Sequence, residues 1–137
     1  TPFGSHLYGM QPDLITIELG TNEQDQSNAN YAQSATFKTN LINLIDGFQK
    51  DLPQAKIVLM TTWQTETSST YDAVIQAVGS QYNLPVVDIS SVWQDSNNIA
   101  QSGATSWTGS GDGYHPNDAG NQAIAKLLEK AVNKLYK

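Results

Sequence analysis

"PDLITIELGTNE", residues 12–23, is the stretch whose reading decides the architecture. Leu14, Ile15, Ile17 and Leu19 make it apolar at nearly every position, so both of its faces call for burial. A strand covered on both faces belongs inside a parallel sheet with helices on either side. The polar run from Gly20 to Asn30 then reads as a loop at the strand's carboxyl end.

The segments that follow agree with this start. From about Ala32 to Lys50, Phe37, Leu41, Leu44, Ile45 and Phe48 recur at helical spacing, and Leu52-Pro53 closes the segment. "AKIVLMTTW" (55–63) is a second buried strand. Tyr71, Val74, Ile75 and Val78 predict a helix over 68–83, and "LPVVDIS" (84–90) reads as a short third strand. A polar, Gly/Ser-rich loop runs to residue 115, and a last helix starts at Pro116 with Ile124, Leu127, Leu128, Ala131 and Leu135 on one stripe. Strand and helix alternate three times, which predicts one α/β domain over residues 1–137 with right-handed crossovers. In open sheets of this class the functional loops gather at the carboxyl ends of the strands. Residues 20–25, 62–68 and 89–115 should therefore meet.

Composition removes several functions. With no Cys among 137 residues, disulfides, thiolate metal sites and a cysteine nucleophile are excluded. The formal charge is −6 and no Arg is present, which argues against nucleic acid and polyphosphate partners. No apolar run approaches the roughly 18 residues of a membrane span, so no membrane partner is expected. Lys126, Lys130, Lys134 and Lys137 near the end of the last helix complement its dipole as a solvated face. The cysteine-free, amide- and hydroxyl-rich surface suits a secreted protein. No cofactor is expected.

"GSGDGYHPNDAG" (109–120) carries the chemistry. Asp112 stands three residues before His115, close enough for one turn to hold a base and the acid that orients it. Gly111 and Gly113 let the chain turn on either side of Asp112, and Pro116 suits a first helical position. Read alone, the pattern also fits a plain Asp-Gly turn before a helix. Asn22 in "GTNE" is equally double: an amide that pins its own loop, or a donor to an oxyanion.

Taken together, "PDLITIELGTNE" and "DGYHPNDAGNQAIA" resemble blocks III and V of the SGNH (GDSL-type) esterases and acylhydrolases, in the same order and with fitting elements between them. "YNLPVVDIS" resembles the strand that leads into that family's catalytic loop, so the likeness runs from about residue 11 to 130. The resemblance implies a flavodoxin-like parallel sheet with flanking helices and a serine esterase. It makes Asn22 an oxyanion-hole donor, Asp112 the triad acid and His115 the triad base. Glu23 departs from the pattern, which usually has Asp there.

A larger departure lies at the front. The family carries its serine in a G-D-S block after a first strand, well upstream of block III, and only ten residues precede "QPDLITIEL". Ser5 and Gly9 imitate the spacing of that block, but no strand and no Asp precede Ser5. Ser110 lacks a strand-end elbow, and nothing marks Gly4 or Gly9 as a second oxyanion donor. The fold is thus expected without its first strands, which leaves the strand of Leu14–Leu19 as an exposed apolar edge. The chain is expected to be a C-terminal portion of a longer hydrolase, paired with its missing part or with a second copy.

Trp63, directly after the second strand, and Trp107, in the loop before Asp112, suit the faces of a sugar ring. They point to an acetylated carbohydrate or another small ester as substrate. Trp93 reads as packing, and Tyr114 as packing or pocket wall. Two other classes stay open: a non-catalytic SGNH-like module that binds carbohydrate or protein, and a metal site of Asp112, His115 and Asp118. His6 stands alone near the amino end.

Overall fold

Side chains alternate along three strands and send apolar groups to opposite faces of one sheet. The computed structural model describes residues 9–63, 68–106 and 109–137. Strands β1 (Leu14–Glu18), β2 (Lys56–Met60) and β3 (Val86–Val87) pair in parallel in the order β1-β2-β3. Ile15 stands opposite Ile57, Ile17 opposite Leu59, and Leu59 opposite Val86. β2 is central, and its Val58, Leu59 and Ile57 are buried to 0 %, 1 % and 4 % exposure.

Helices α1 (Ser34–Asp51) and α2 (Ser68–Tyr82) pack on the face that carries Ile15, Ile17, Ile57 and Leu59. Phe37, Leu41, Ile45 and Phe48 face that core at intervals of three and four residues. Phe37 and Tyr71 join the two helices through a tilted ring pair at 5.4 Å. α1 ends where Leu52 buries its side chain and returns its N–H to the Phe48 carbonyl at 2.7 Å. On the opposite face Leu14, Val58, Met60 and Val87 meet α4 (Asp118–Leu135). There Ile124, Leu127, Leu128, Ala131 and Leu135 form the expected stripe, but each is only half-buried.

The third strand is shorter than the apolar run that announces it. The Asp88 carboxylate accepts the Ser90 N–H at 2.8 Å, and the Ile89 N–H goes to the Thr61 hydroxyl at 3.0 Å, so side chains replace the strand ladder there. The long polar loop also carries structure of its own. It contains the single turn α3 (Ser90–Trp93), a 3₁₀ turn (Ser96–Asn98), and an antiparallel hairpin of β4 (Thr105–Ser106) and β5 (Gly109–Ser110). Pro116 corrects another expectation: it stands outside the helix, in an isolated bridge with Ile99, and Asn117 is the N-cap. The capping oxygen accepts the Gly120 N–H at 2.9 Å, a role that Pro116 has no side chain to fill.

Among the described residues β1 pairs only with β2, so its other backbone edge faces outward. Thr16 and Glu18 are exposed, and Leu19 is 39 % exposed. Among the described residues the expected open edge is therefore present, with Leu19 as its exposed apolar side chain and Thr16 and Glu18 as polar ones.

Candidate active site

The turn before α4 is braced from behind by residues 97–104. The Ala100 N–H reaches the His115 carbonyl at 2.8 Å, the Gly113 N–H reaches the Ala100 carbonyl at 2.8 Å, and the Gly111 N–H reaches the Ala104 carbonyl at 2.7 Å. Asn117 adds Nδ2 donations to the carbonyls of Asn97 at 2.7 Å and Ile99 at 3.2 Å. Two glycines allow this close seam. A Cβ on Gly111 would fall 2.2 Å from the Gln101 carbonyl oxygen, and Gly113 has φ +80°, a conformation that side chains disfavour.

This braced turn brings Asp112 and His115 together as the spacing predicts. Asp112 Oδ1 accepts the backbone N–H groups of Tyr114 and His115, each at 2.9 Å. Its Oδ2 is then free for the hydrogen bond to His115 Nδ1. The imidazole bond, followed by the two backbone N–H groups, holds the Asp112 carboxyl far below the usual carboxylate range. A carboxylate on Nδ1 fixes the proton there and leaves Nε2 as the basic nitrogen. The His115 side chain is 71 % exposed, so a reactant can reach that nitrogen.

Asn22 sits in the loop after β1. The Gly20 N–H binds Glu23 Oε2 at 2.8 Å and the Gln24 N–H returns to the Gly20 carbonyl at 3.1 Å, which closes a tight polar turn around it. Asn22 is exposed, and its Oδ1 accepts from Asn28 Nδ2 at 3.4 Å, so its own amide hydrogens point elsewhere. Glu23, the departure from the family pattern, thus holds the loop through the Gly20 N–H.

The loops of Asn22 and His115 meet through Trp63. Its backbone N–H donates to Thr21 Oγ1 at 2.9 Å, and its indole N–H donates to the Tyr114 carbonyl at 2.8 Å. Trp63 was expected to offer a face to substrate; it is 5 % exposed and packs with Val58, Val87, Ile89 and Val92. Burial and the spent N–H leave little of it to stack on a sugar. Trp107, Ser5, Gly4 and His6 lie outside the described residues. Ser110 is placed in β5 as the partner of Thr105, Gly9 is exposed, and Trp93 is packed as expected.

One contributor escaped the sequence reading. Glu18, the last residue of β1, accepts the Thr21 hydroxyl at 2.9 Å. Desolvation raises its pKa, the Thr21 bond opposes that, and the Glu23 charge raises it further. Tyr114, read in the sequence as packing or pocket wall, has its hydroxyl pushed up by desolvation and then by the charges of Glu18 and Asp25. The only signal for Glu18 was its place at a strand's carboxyl end. Among the described residues no group of three or more His, Asp and Glu side chains is arranged to hold a metal ion, so Asp118 does not join Asp112 and His115 in one.

Residues 3–123 match the GDSL-like lipase/acylhydrolase family. The chain is 25 % identical over 150 residues to an acetylxylan esterase of Xylanibacter ruminicola, an alignment covering 89 % of this chain and 29 % of that protein. The chain thus spans less than a third of that relative's length. Among solved structures, a mutant of an acetyl-xylooligosaccharide esterase from Geobacillus stearmophilus superposes with a TM-score of 0.70 at 19 % identity, covering 95 % of this chain and 64 % of that one. A carbohydrate esterase family 3 protein from Talaromyces cellulolyticus gives a TM-score of 0.68 at 18 % identity, covering 94 % and 61 %. At such identities these likenesses are likenesses of fold.

Proposed function

Because the chain belongs to the GDSL-like lipase/acylhydrolase family, we propose that it carries the acid–base half of an esterase site that removes acetyl groups from carbohydrate. The Asp112–His115 pair is the observation that carries this reading: its carboxylate is fully engaged and its imidazole is oriented and exposed. The names of the acetylxylan and acetyl-xylooligosaccharide esterases support an acetylated sugar as substrate. The composition supports work outside the cell.

In this reading His115 Nε2 takes the proton of a serine hydroxyl as that oxygen bonds to the acetyl carbon. The carbonyl electron pair moves onto its oxygen, where the Asn22 amide donates to it. Collapse of this intermediate breaks the bond to the sugar oxygen, and His115 returns the proton to that oxygen. Water then repeats the sequence on the acetyl-enzyme, and Asp112 stabilises the imidazolium each time. A strand carrying the serine of the family's G-D-S block would complete the site.

The test is hydrolysis of a small acetyl ester and of acetylated xylo-oligosaccharide by the chain alone and with a segment carrying the family's G-D-S strand supplied in trans. Activity should appear only with the segment, and His115→Ala should then lower kcat by about a thousandfold or more. Full activity in the His115→Ala variant would overturn the assignment.

A second reading has an observation in its favour. Among the described residues no serine hydroxyl is hydrogen-bonded to the His115 imidazole. A non-catalytic module that binds carbohydrate or protein would have this appearance. A fluorophosphonate probe separates the readings: labelling of the complemented protein supports the esterase, and labelling of the chain alone would locate the serine within it.

A further inference from the structure

We propose that Trp63 is a positioning residue for His115, acting through one peptide plane that it shares with Asp112. The inference rests on the esterase reading for its functional meaning, but the geometry stands apart from it. The carbonyl of Tyr114 and the N–H of His115 belong to the same peptide unit, which is planar and rigid. Its oxygen accepts the Trp63 indole N–H at 2.8 Å, and its hydrogen goes to Asp112 Oδ1 at 2.9 Å. The plane is pinned at both ends. A rotation of this plane, which would swing the Cα–Cβ bond of His115, must strain one of these two bonds.

Pinning matters here because the imidazole ring itself is lightly packed. The His115 side chain is 71 % exposed, so core packing does not orient it; among the described residues its ring meets the Asp112 carboxylate and the edge of the Tyr114 ring at 5.3 Å. Trp63, in contrast, is anchored. It stands just beyond β2, is 5 % exposed, and its backbone N–H rests on Thr21 Oγ1 at 2.9 Å while that hydroxyl donates to Glu18 at 2.9 Å. The Tyr114 hydroxyl donates back to the Trp63 carbonyl at 3.4 Å and closes a reciprocal clasp. The rigidity of the central strand thereby passes to an exposed imidazole.

Trp63→Phe keeps most of the ring packing and deletes the indole N–H. With histidine-labelled protein, NMR follows the His115 ring nitrogen shifts, which report which ring nitrogen carries the proton. Loosening the plane weakens the Asp112 contact, so the shifts should move from a proton held on Nδ1 toward the pattern of Asp112→Asn. Tyr114→Phe, which removes only the hydroxyl half of the clasp, should move them the same way by less. Trp93→Phe, a change elsewhere in the same core layer, should lower the Tm and leave the shifts alone. In the complemented enzyme, Trp63→Phe should lower kcat by about three- to tenfold with KM within about twofold. Unchanged ring nitrogen shifts in a folded Trp63→Phe protein would reduce Trp63 to a core residue and overturn the proposal. If that variant does not fold, unchanged shifts in Tyr114→Phe do the same. Because the main readout is the imidazole, an absence of esterase activity would sink the functional reading and leave this inference standing.

Discussion

Two carboxylates at the same end of the sheet are driven in opposite directions, and the difference is local. Asp112 gains an imidazole and two backbone N–H partners, which favour its charged form. Glu18 loses water and faces Glu23, and the Thr21 hydroxyl compensates only in part. For Asp112 the lowered pKa means a contribution to stability that is complete above the ordinary value of 3.8 and is lost as pH falls through the folded value. For Glu18 the sign is reversed. Its folded pKa lies above the ordinary 4.5, so its contribution is most favourable at low pH and is lost as pH rises through the folded value. Glu18→Gln keeps an oxygen for Thr21 and removes the charge. Its Tm should exceed that of the wild type by on the order of a degree at pH 7 and match it near pH 3 in thermal melts. Asp112 and His115 were legible in the sequence because a three-residue spacing lets one turn decide their contact. Glu18 was not, because an outward polar residue at a strand end looks the same whether or not a loop folds over it.

At the level of elements, periodicity located the helices well and the ends of strands poorly. The helix expected over 32–50 spans Ser34–Asp51, and the one expected over 68–83 spans Ser68–Tyr82. Helical periodicity repeats over several turns, and each turn confirms the last. β3 keeps only Val86 and Val87 because the Asp88 and Thr61 side chains take over the next backbone groups, and a hydrophobic pattern does not register that substitution. The β4–β5 hairpin was missed for a similar reason: a Gly/Ser-rich polar stretch carries no alternation to read. The centre of α1 is the place to test how far packing dominates. Ile45 is 0 % exposed between α2 and the sheet, so Ile45→Ala should cost about 2–5 kcal/mol in chemical denaturation. A loss below about 1 kcal/mol would mean that the two-helix layer closes over the gap.

For the whole molecule the unbalanced layers matter most. Among the described residues the α1–α2 face of the sheet is sealed, whereas the stripe of α4 stays half-buried and β1 presents an open backbone edge. An open edge flanked by apolar side chains favours pairing with another strand. Light scattering is expected to give a mass above that of one chain, and a segment carrying the family's first strands, added in trans, should lower that mass to a one-to-one complex with a higher Tm. A single-chain mass at all concentrations, with a Tm indifferent to the segment, would remove the expectation. The sequence by itself determined the α/β alternation, the helices that build the sealed layer and the acid–base turn, since these depend on neighbours a few residues apart. Only the tertiary structure decided that Trp63 is a buried brace and that Glu18 borders the site. It also showed that Asn117, not Pro116, starts the last helix. Those facts rest on contacts such as Trp63 to Tyr114, 51 residues apart, and chain folding alone brings such groups within a hydrogen bond of one another.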